Sequence, residues 1–118
     1  SRPAGRRKEG NAQMSDSKIM PRHELDRAAR VMRALAHPIR LGILQQLATG
    51  ELNVSALTER LSCSQPMMSQ QLQVLERQSL IASRREGTIK YCALKNADFL
   101  NMMNCLRKHL ELYMKGRD

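Results

Sequence analysis

The stretch LSCSQPMMSQQLQVLERQ, residues 61–78, decides the fold of this chain. It places five glutamines, three serines and a proline where a small protein would be expected to build core. Ser64 is a good helix N-cap, and Pro66 is tolerated in a first helical turn. The stretch therefore predicts a helix over about residues 65–78.

The two faces of this predicted helix differ in chemistry. Met68, Leu72 and Leu75 recur at helical spacing on one face and are expected to lie in the core. The opposite face is uncharged and hydrogen-bonding, and it consists of Gln65, Ser69, Gln70 and Gln73. Such side chains offer donors and acceptors to base edges in a major groove. Plain solvation also produces a glutamine-rich face on an isolated helix, so the flanking segments have to decide between the two interpretations.

Downstream, the apolar pattern changes from helical to alternating. Residues 81–85 and 89–94 indicate two strands joined by a turn at 86–88. The tip of this β-hairpin is basic, with Arg84, Arg85 and Lys90. Two short helices joined by a tight turn and followed by a basic hairpin are the parts of a winged helix-turn-helix. Together they favour DNA reading for the polar face.

Upstream, the pattern predicts three further helices. One spans residues 24–36 and a second 38–48, separated at His37-Pro38 because the residue before a proline is pushed out of the α region. Proline itself suits a first helical turn. A brief strand around residues 52–54 precedes a short third helix over 55–61.

The last segment, residues 97–115, returns to helical spacing. Its apolar positions cover a wide part of the helix circumference: Leu100, Met102, Met103, Cys105, Leu106, Leu110, Leu112 and Tyr113. A helix this apolar needs more than one neighbour, which suggests a contact with a second copy of the chain. The predicted fold is mainly α with a small β-hairpin wing, a winged helix-turn-helix of five helices with the hairpin between the fourth and the fifth.

The composition is that of one small cytoplasmic domain. The 118 residues carry a formal net charge of +9, which points to a polyanionic partner and to nucleic acid first. No apolar run approaches the roughly 18 residues that span a bilayer, and no secretory leader opens the chain. We therefore expect a cytoplasmic protein with no membrane contact. Three cysteines without a C-x-x-C pair argue against a disulfide framework.

The N-terminal 20 residues differ in composition from the rest. Residues 1–20 are rich in Arg, Lys, Gly, Ser and Asn and are expected to form a disordered basic lead-in. Met14 is a candidate natural start, in which case residues 1–13 would be a foreign leader. Six of the nine net positive charges lie beyond residue 13, so the basic character does not depend on that segment. Residues 21–118 are then the winged-helix DNA-binding and dimerisation domain.

Two segments carry a family resemblance. RALAHPIRLGILQQL, residues 33–47, followed by GELNVSALTERLSCSQPMMSQQLQVLERQSLIASRREGTIKYCAL, residues 50–94, resembles the ArsR/SmtB family of bacterial winged-helix repressors. The resemblance extends over about residues 24–115. It implies a homodimer, associated through the first and last helices, whose two recognition helices enter successive major grooves of an imperfect inverted repeat in double-stranded DNA.

Carried over position by position, the resemblance assigns two kinds of DNA contact. The resemblance places the N-cap Ser64 and three residues of the fourth helix at the DNA, namely Gln65, Ser69 and Gln70, and Gln73 continues that polar face. Many relatives have histidine at the position of Gln70. Contacts of the wing to phosphate or to the minor groove would come from Arg84, Arg85 and Lys90.

The metal-ligand positions of the family do not match. The soft-metal site of relatives resembles ELCVCDL, whereas this chain has Asn53 and Ser55 in place of both thiolates. The zinc-type site uses an Asp-x-His pair and a later His-x-x-Glu, and here Asp98 and His109 each stand alone. We therefore expect no cofactor and no metal site at the usual ligand positions of the family, which leaves a metal effector bound elsewhere or a thiol-reactive effector open.

A thiol switch is the remaining candidate for regulation. Thiol-sensing relatives carry one cysteine in the second helix, where this chain has Gln45, and one in the last helix. Cys105 lies on the last helix, and Cys63 lies in the turn before the recognition helix. These two cysteines either form the switch or fill apolar positions, since a free cysteine often behaves as a small buried hydrophobe. Cys92, on the returning strand of the wing, is expected to be structural.

Catalysis has no support in the sequence. It contains no Gly-rich phosphate loop, no paired-carboxylate pattern and no Ser or Cys in a nucleophile motif, so the protein is not expected to be an enzyme. The expected function is sequence-specific binding of DNA by a homodimeric repressor that an effector releases. The alternative is a winged-helix protein-interaction module whose basic surface serves an acidic partner, without sequence-specific reading of DNA.

Overall fold

The computed structural model describes residues 19–117, with side chains up to Lys115. In chain order the elements are α1 (Arg22–Leu35), α2 (Pro38–Leu47), β1 (Leu52–Asn53), α3 (Val54–Arg60), α4 (Gln65–Arg77), β2 (Ile81–Glu86), β3 (Ile89–Leu94) and α5 (Phe99–Arg117). The predicted order of five helices with a hairpin wing before the last is confirmed. The predicted lead-in over residues 1–20 lies, up to residue 18, outside the described residues.

The chain divides into two compact units after Arg33. In the first unit, α1 up to Arg33 is amphipathic, and its exposed large apolar side chains include Leu25 and Met32. The second unit begins at Ala34 and contains every later element.

Side-chain caps set the starts of three helices in the second unit. His37 accepts the backbone N–H of Ile39 on Nδ1 at 3.0 Å, at the break that Pro38 imposes. The Asn53 side chain accepts the N–H of Ala56 at 2.8 Å, which starts α3. Ser64 accepts the N–H of Met67 at 3.2 Å and starts α4, as its position predicted. Each cap satisfies a backbone donor that has no partner within its own helix.

The wing belongs to a three-stranded antiparallel sheet in the order β1-β3-β2. Leu52 pairs with Cys92, and Arg85 pairs with Lys90 next to the hairpin turn. Gly87 in that turn has φ +61°, a conformation that residues with a Cβ rarely adopt. Strand β1 is only two residues long because Asn53 caps α3 and Val54 already belongs to the helix.

The core of the second unit lies between α2, α3, α4 and the sheet. Its largest fully buried side chains are Ile43, Leu44, Leu57, Met68, Leu72, Leu75 and Cys92. The prediction that Met68, Leu72 and Leu75 form the buried face of α4 is confirmed. Among the described residues, no helix is both long and apolar enough to cross a membrane.

Candidate nucleic-acid interface

The face of α4 that points away from the core carries the predicted reading residues. Gln65, Ser69, Gln70 and Gln73 are all exposed, and Met68 and Leu72 on the other face are buried. Ser64 is exposed as well, but its hydroxyl oxygen already accepts the helix-capping hydrogen bond. Its O–H remains a donor. The exposed side of α4 thus carries a row of uncharged hydrogen-bond donors and acceptors.

A groove of about 370 Å³ runs between this helix and the wing. Gln65 and Ser69 line one side of it, and Arg85 and Lys90 of the hairpin line the other. Arg85 and Lys90 are partners in the strand register, so both side chains leave the same face of the sheet. The structure therefore brings four of the predicted residues together, two neutral and two basic.

Arg84 points to the opposite face of the hairpin and is engaged by the protein itself. It donates to both carboxylate oxygens of Glu51, at 2.9 and 2.7 Å, and to Glu86 at 2.6 Å. Its guanidinium also lies 4.5 Å from the centre of the Tyr91 ring. The hydrogen bonds to Glu51 and then to Glu86 raise the pKa of Arg84, and the bond from Arg84 lowers the pKa of Glu51. Arg84 ties the wing to the residue that precedes β1.

Lys90 has an acidic partner at the edge of the groove. Its Nζ lies 3.0 Å from Glu76 Oε2, and the same oxygen accepts a hydrogen bond from Ser83. Partial burial favours the neutral carboxyl, but the hydrogen bonds from Ser83 and Lys90 outweigh it and lower the pKa of Glu76. This cluster holds the wing against α4.

Arg85 differs from the other two basic residues of the wing. It is exposed, and no carboxylate of the described residues forms a salt bridge with it. Its charge is therefore the one in the predicted set that faces the groove without compensation from the described residues.

Sequence reasoning missed the polar residues that hold this surface in place. Gln71 is buried in the core face of α4, and Arg40 of α2 donates to it at 2.6 Å. The signal was present, because Gln71 shares the helical spacing of Met68, Leu72 and Leu75. The sequence contains no such local signal for the ion pairs that Glu51 and Glu76 form with the wing.

The three cysteines occupy different environments. Cys63 is half-buried in the turn between α3 and α4, Cys105 is exposed on α5, and Cys92 is fully buried. Burial is the main cause that raises the pKa of the Cys92 thiol. Within the described part of the chain, no three His, Cys, Asp or Glu side chains lie close enough to hold a metal ion.

The sequence of this chain is similar to those of known helix-turn-helix proteins. Residues 35–84 match the model of a helix-turn-helix domain family. The chain is 31% identical over 93 residues to a transcriptional repressor SmtB homolog from Synechocystis, a match that covers 79% of this chain and 70% of that protein. It is 37% identical over 67 residues to the repressor SmtB of Mycobacterium tuberculosis, and this match covers 57% of the chain and spans only 50% of that protein.

One solved structure is similar to this chain in both fold and sequence. It is the homodimeric winged helix-turn-helix DNA-binding domain of a possible ArsR-family transcriptional regulator from Mycobacterium bovis. The two chains superpose with a TM-score of 0.69 at 32% sequence identity, over 80% of this chain and 87% of the other.

Proposed function

The chain belongs to the ArsR/SmtB family of winged helix-turn-helix transcriptional repressors, and we propose from this that it is a homodimeric repressor that binds an imperfect inverted repeat in double-stranded DNA. The family consists of transcription regulators and not of enzymes. The observation that carries the proposal is the groove in which Gln65 and Ser69 of α4 face Arg85 and Lys90 of the wing.

The neutral face of α4 supplies the choice of sequence. Glutamine can pair in a bidentate way with adenine, and serine can donate to or accept from either base of a pair in the major groove. We place α4 in the major groove with Gln65, Ser69, Gln70 and Gln73 toward the bases. Ser64 would meet the backbone or a base through its free O–H.

The wing supplies affinity that does not depend on sequence. Arg85 is the phosphate contact that the geometry supports best, because its charge faces the groove. Lys90 would join it by exchanging Glu76 for a phosphate oxygen. Arg84 would hold the wing in position from the other side of the hairpin.

Dimerisation would cover apolar surface on two helices. Leu25 and Met32 of α1 are 51% and 60% exposed, and the exposed large apolar residues of α5 include Leu110, Leu112 and Tyr113. Apolar side chains in such number are typical of a contact surface. For a dimer of this family we expect the two α4 helices to meet half-sites about 34 Å apart, one turn of DNA.

Thiol chemistry is the proposed route for release of DNA. Cys63 and Cys105 are more accessible than Cys92, and Cys63 lies directly before the recognition helix. A reporter strain that carries Cys63→Ser together with Cys105→Ser is expected to lose its response to oxidant or polysulfide. A full response in that strain would exclude these thiols as the switch.

The central test compares binding to the upstream region of the gene with binding to random DNA. Gln65→Ala and Gln70→Ala are each expected to lose about 1–3 kcal/mol per base contact on the specific site only. Arg85→Ala is expected to weaken both DNAs alike. Gln45→Ala, which removes an exposed glutamine from α2, is the matched control and is expected to change neither.

Two outcomes would contradict the proposal. Equal losses on both DNAs for the glutamine variants would remove α4 from base reading. Salt-dependent binding of the wild type without preference for any sequence would favour the protein-interaction module.

As a regulator of transcription in a bacterium, the protein would act in the cytoplasm.

A further inference from the structure

Gln71 is the one buried polar residue among the side chains that the structure describes, with 7% of its surface exposed. It lies on α4 between Gln70, which faces outward, and Leu72, which is in the core. A leucine at this position would bury more apolar surface, and an amide in a core has to be hydrogen-bonded to be tolerated. The position therefore calls for an explanation beyond packing.

Gln71 connects α4 directly to α2 and, through Arg40, to the backbone at the end of α1. Arg40 in the first turn of α2 donates from Nη1 to Gln71 Oε1 at 2.6 Å, a charge-assisted bond. The Nε of the same arginine donates to the backbone carbonyl of Ala34 at the end of α1. The Nε2 of Gln71 lies 3.2 Å from the sulfur of Met67 and donates to it. No buried side-chain N or O of the described residues lacks a partner.

We propose that Arg40 and Gln71 are positioning residues that fix the rotation of α4 about its own axis, and thereby which bases its exposed face can read. Apolar contacts are not directional, so the buried face of α4 alone would tolerate a small rotation. A hydrogen bond weakens steeply with misalignment. A rotation of about 20° would move a side-chain tip that lies 5–6 Å from the helix axis by about 2 Å, enough to break such a bond.

This inference rests on the proposed function, because rotation of α4 matters only if α4 reads bases. Its consequence is a specific one. Loss of the Arg40–Gln71 bond should change the discrimination between sequences while phosphate contacts of the wing persist. If the bond had a purely structural role, its loss would lower the stability of the protein and leave the discrimination of the folded protein unchanged.

The chain offers a matched control on its surface. Arg60 Nη1 of α3 donates to Gln46 Oε1 of α2 at 3.1 Å, an arginine–glutamine pair of the same chemistry that is exposed and does not involve α4. Gln46→Leu and Arg60→Met therefore repeat the same chemical changes without touching the recognition helix.

The experiment measures the affinity of each variant for the specific site and for random DNA, with urea unfolding on the same samples. Gln71→Leu and Arg40→Met are each expected to reduce the ratio of the two affinities by about tenfold or more, as expected for loss of a hydrogen bond to a charged group. The double variant should be no worse than Arg40→Met alone. Gln71→Glu, which keeps the acceptor for Arg40, should retain most of the ratio, and the Gln46 and Arg60 controls should retain all of it.

A further variant covers a failure to fold. Gln71→Met keeps a long unbranched side chain without the amide, so it is expected to show the same loss of discrimination if Gln71→Leu does not fold. A folded variant that has lost the bond but discriminates like the wild type would overturn the inference and leave the proposed function intact. A wild type without any sequence preference would overturn both.

Discussion

Replacing Arg85 by glutamine is expected to reduce the salt dependence of DNA binding, whereas the same replacement of Arg84 is not. The two residues are neighbours on β2, and both carry one positive charge. Arg85 faces the groove beside α4, and none of the described carboxylates forms a salt bridge with it. Arg84 is held by Glu51 and Glu86 on the other face of the hairpin. Of these two arginines, only Arg85 is therefore expected to displace counterions from DNA.

The magnitude follows from counterion release. Each phosphate neutralised on B-DNA contributes about 0.9 to the slope of log affinity against log salt, so two wings in a dimer contribute about 1.8 through their Arg85 side chains. Between about 50 and 200 mM salt, this contribution to affinity falls about tenfold. The advantage of the wild type over Arg85→Gln should shrink by that factor over the same interval.

Fluorescence anisotropy with a labelled duplex at several salt concentrations measures both slopes. Arg84→Gln is best combined with Glu51→Gln, because the double variant has the net charge of the wild type. Its slope should match that of the wild type, even if its affinity falls because the wing is less firmly held. A slope that drops as much in this double variant as in Arg85→Gln would refute the assignment of Arg84 to the protein side of the wing.

Three further predictions concern stability and reactivity. Asn53→Ala is expected to lower the free energy of unfolding by about 1 kcal/mol, because it removes the acceptor that caps α3, and Asn53→Asp should restore it; urea unfolding decides. The lowered pKa of Glu76 means that its contribution to stability is present above the usual carboxyl pKa of 4.5 and is lost as the pH falls through the lowered folded-state value. The difference in unfolding free energy between wild type and Glu76→Gln should accordingly shrink on acidification, and a constant difference would contradict this. Cys92 should react with a maleimide more slowly than Cys63 or Cys105, since burial both shields its thiol and raises its pKa; mass spectrometry of peptides gives the order, and rapid labelling of Cys92 would show that the sheet opens.

Local signals in the sequence predicted the helices, the hairpin and the exposed face of α4. Ser64 and Pro66 mark the start of α4, and the spacing of Met68, Leu72 and Leu75 marks its buried side. These signals work because a helix repeats every 3.6 residues and a cap acts within three residues of the helix start. Residues close together in the sequence are therefore sufficient to predict these elements.

The tertiary structure decided which polar residues remain exposed beside the groove and which hold the protein together. Arg84 and Arg85 are indistinguishable in the sequence, but Arg84 meets Glu51, which lies 33 residues earlier in the chain. Gln71 looks like the other glutamines of α4, but it meets Arg40, 31 residues away. Such pairings depend on how distant elements pack, and no local period encodes them. The sequence by itself thus determined the winged helix-turn-helix and its polar helix, and only the packing of distant segments assigned each charge and amide its partner.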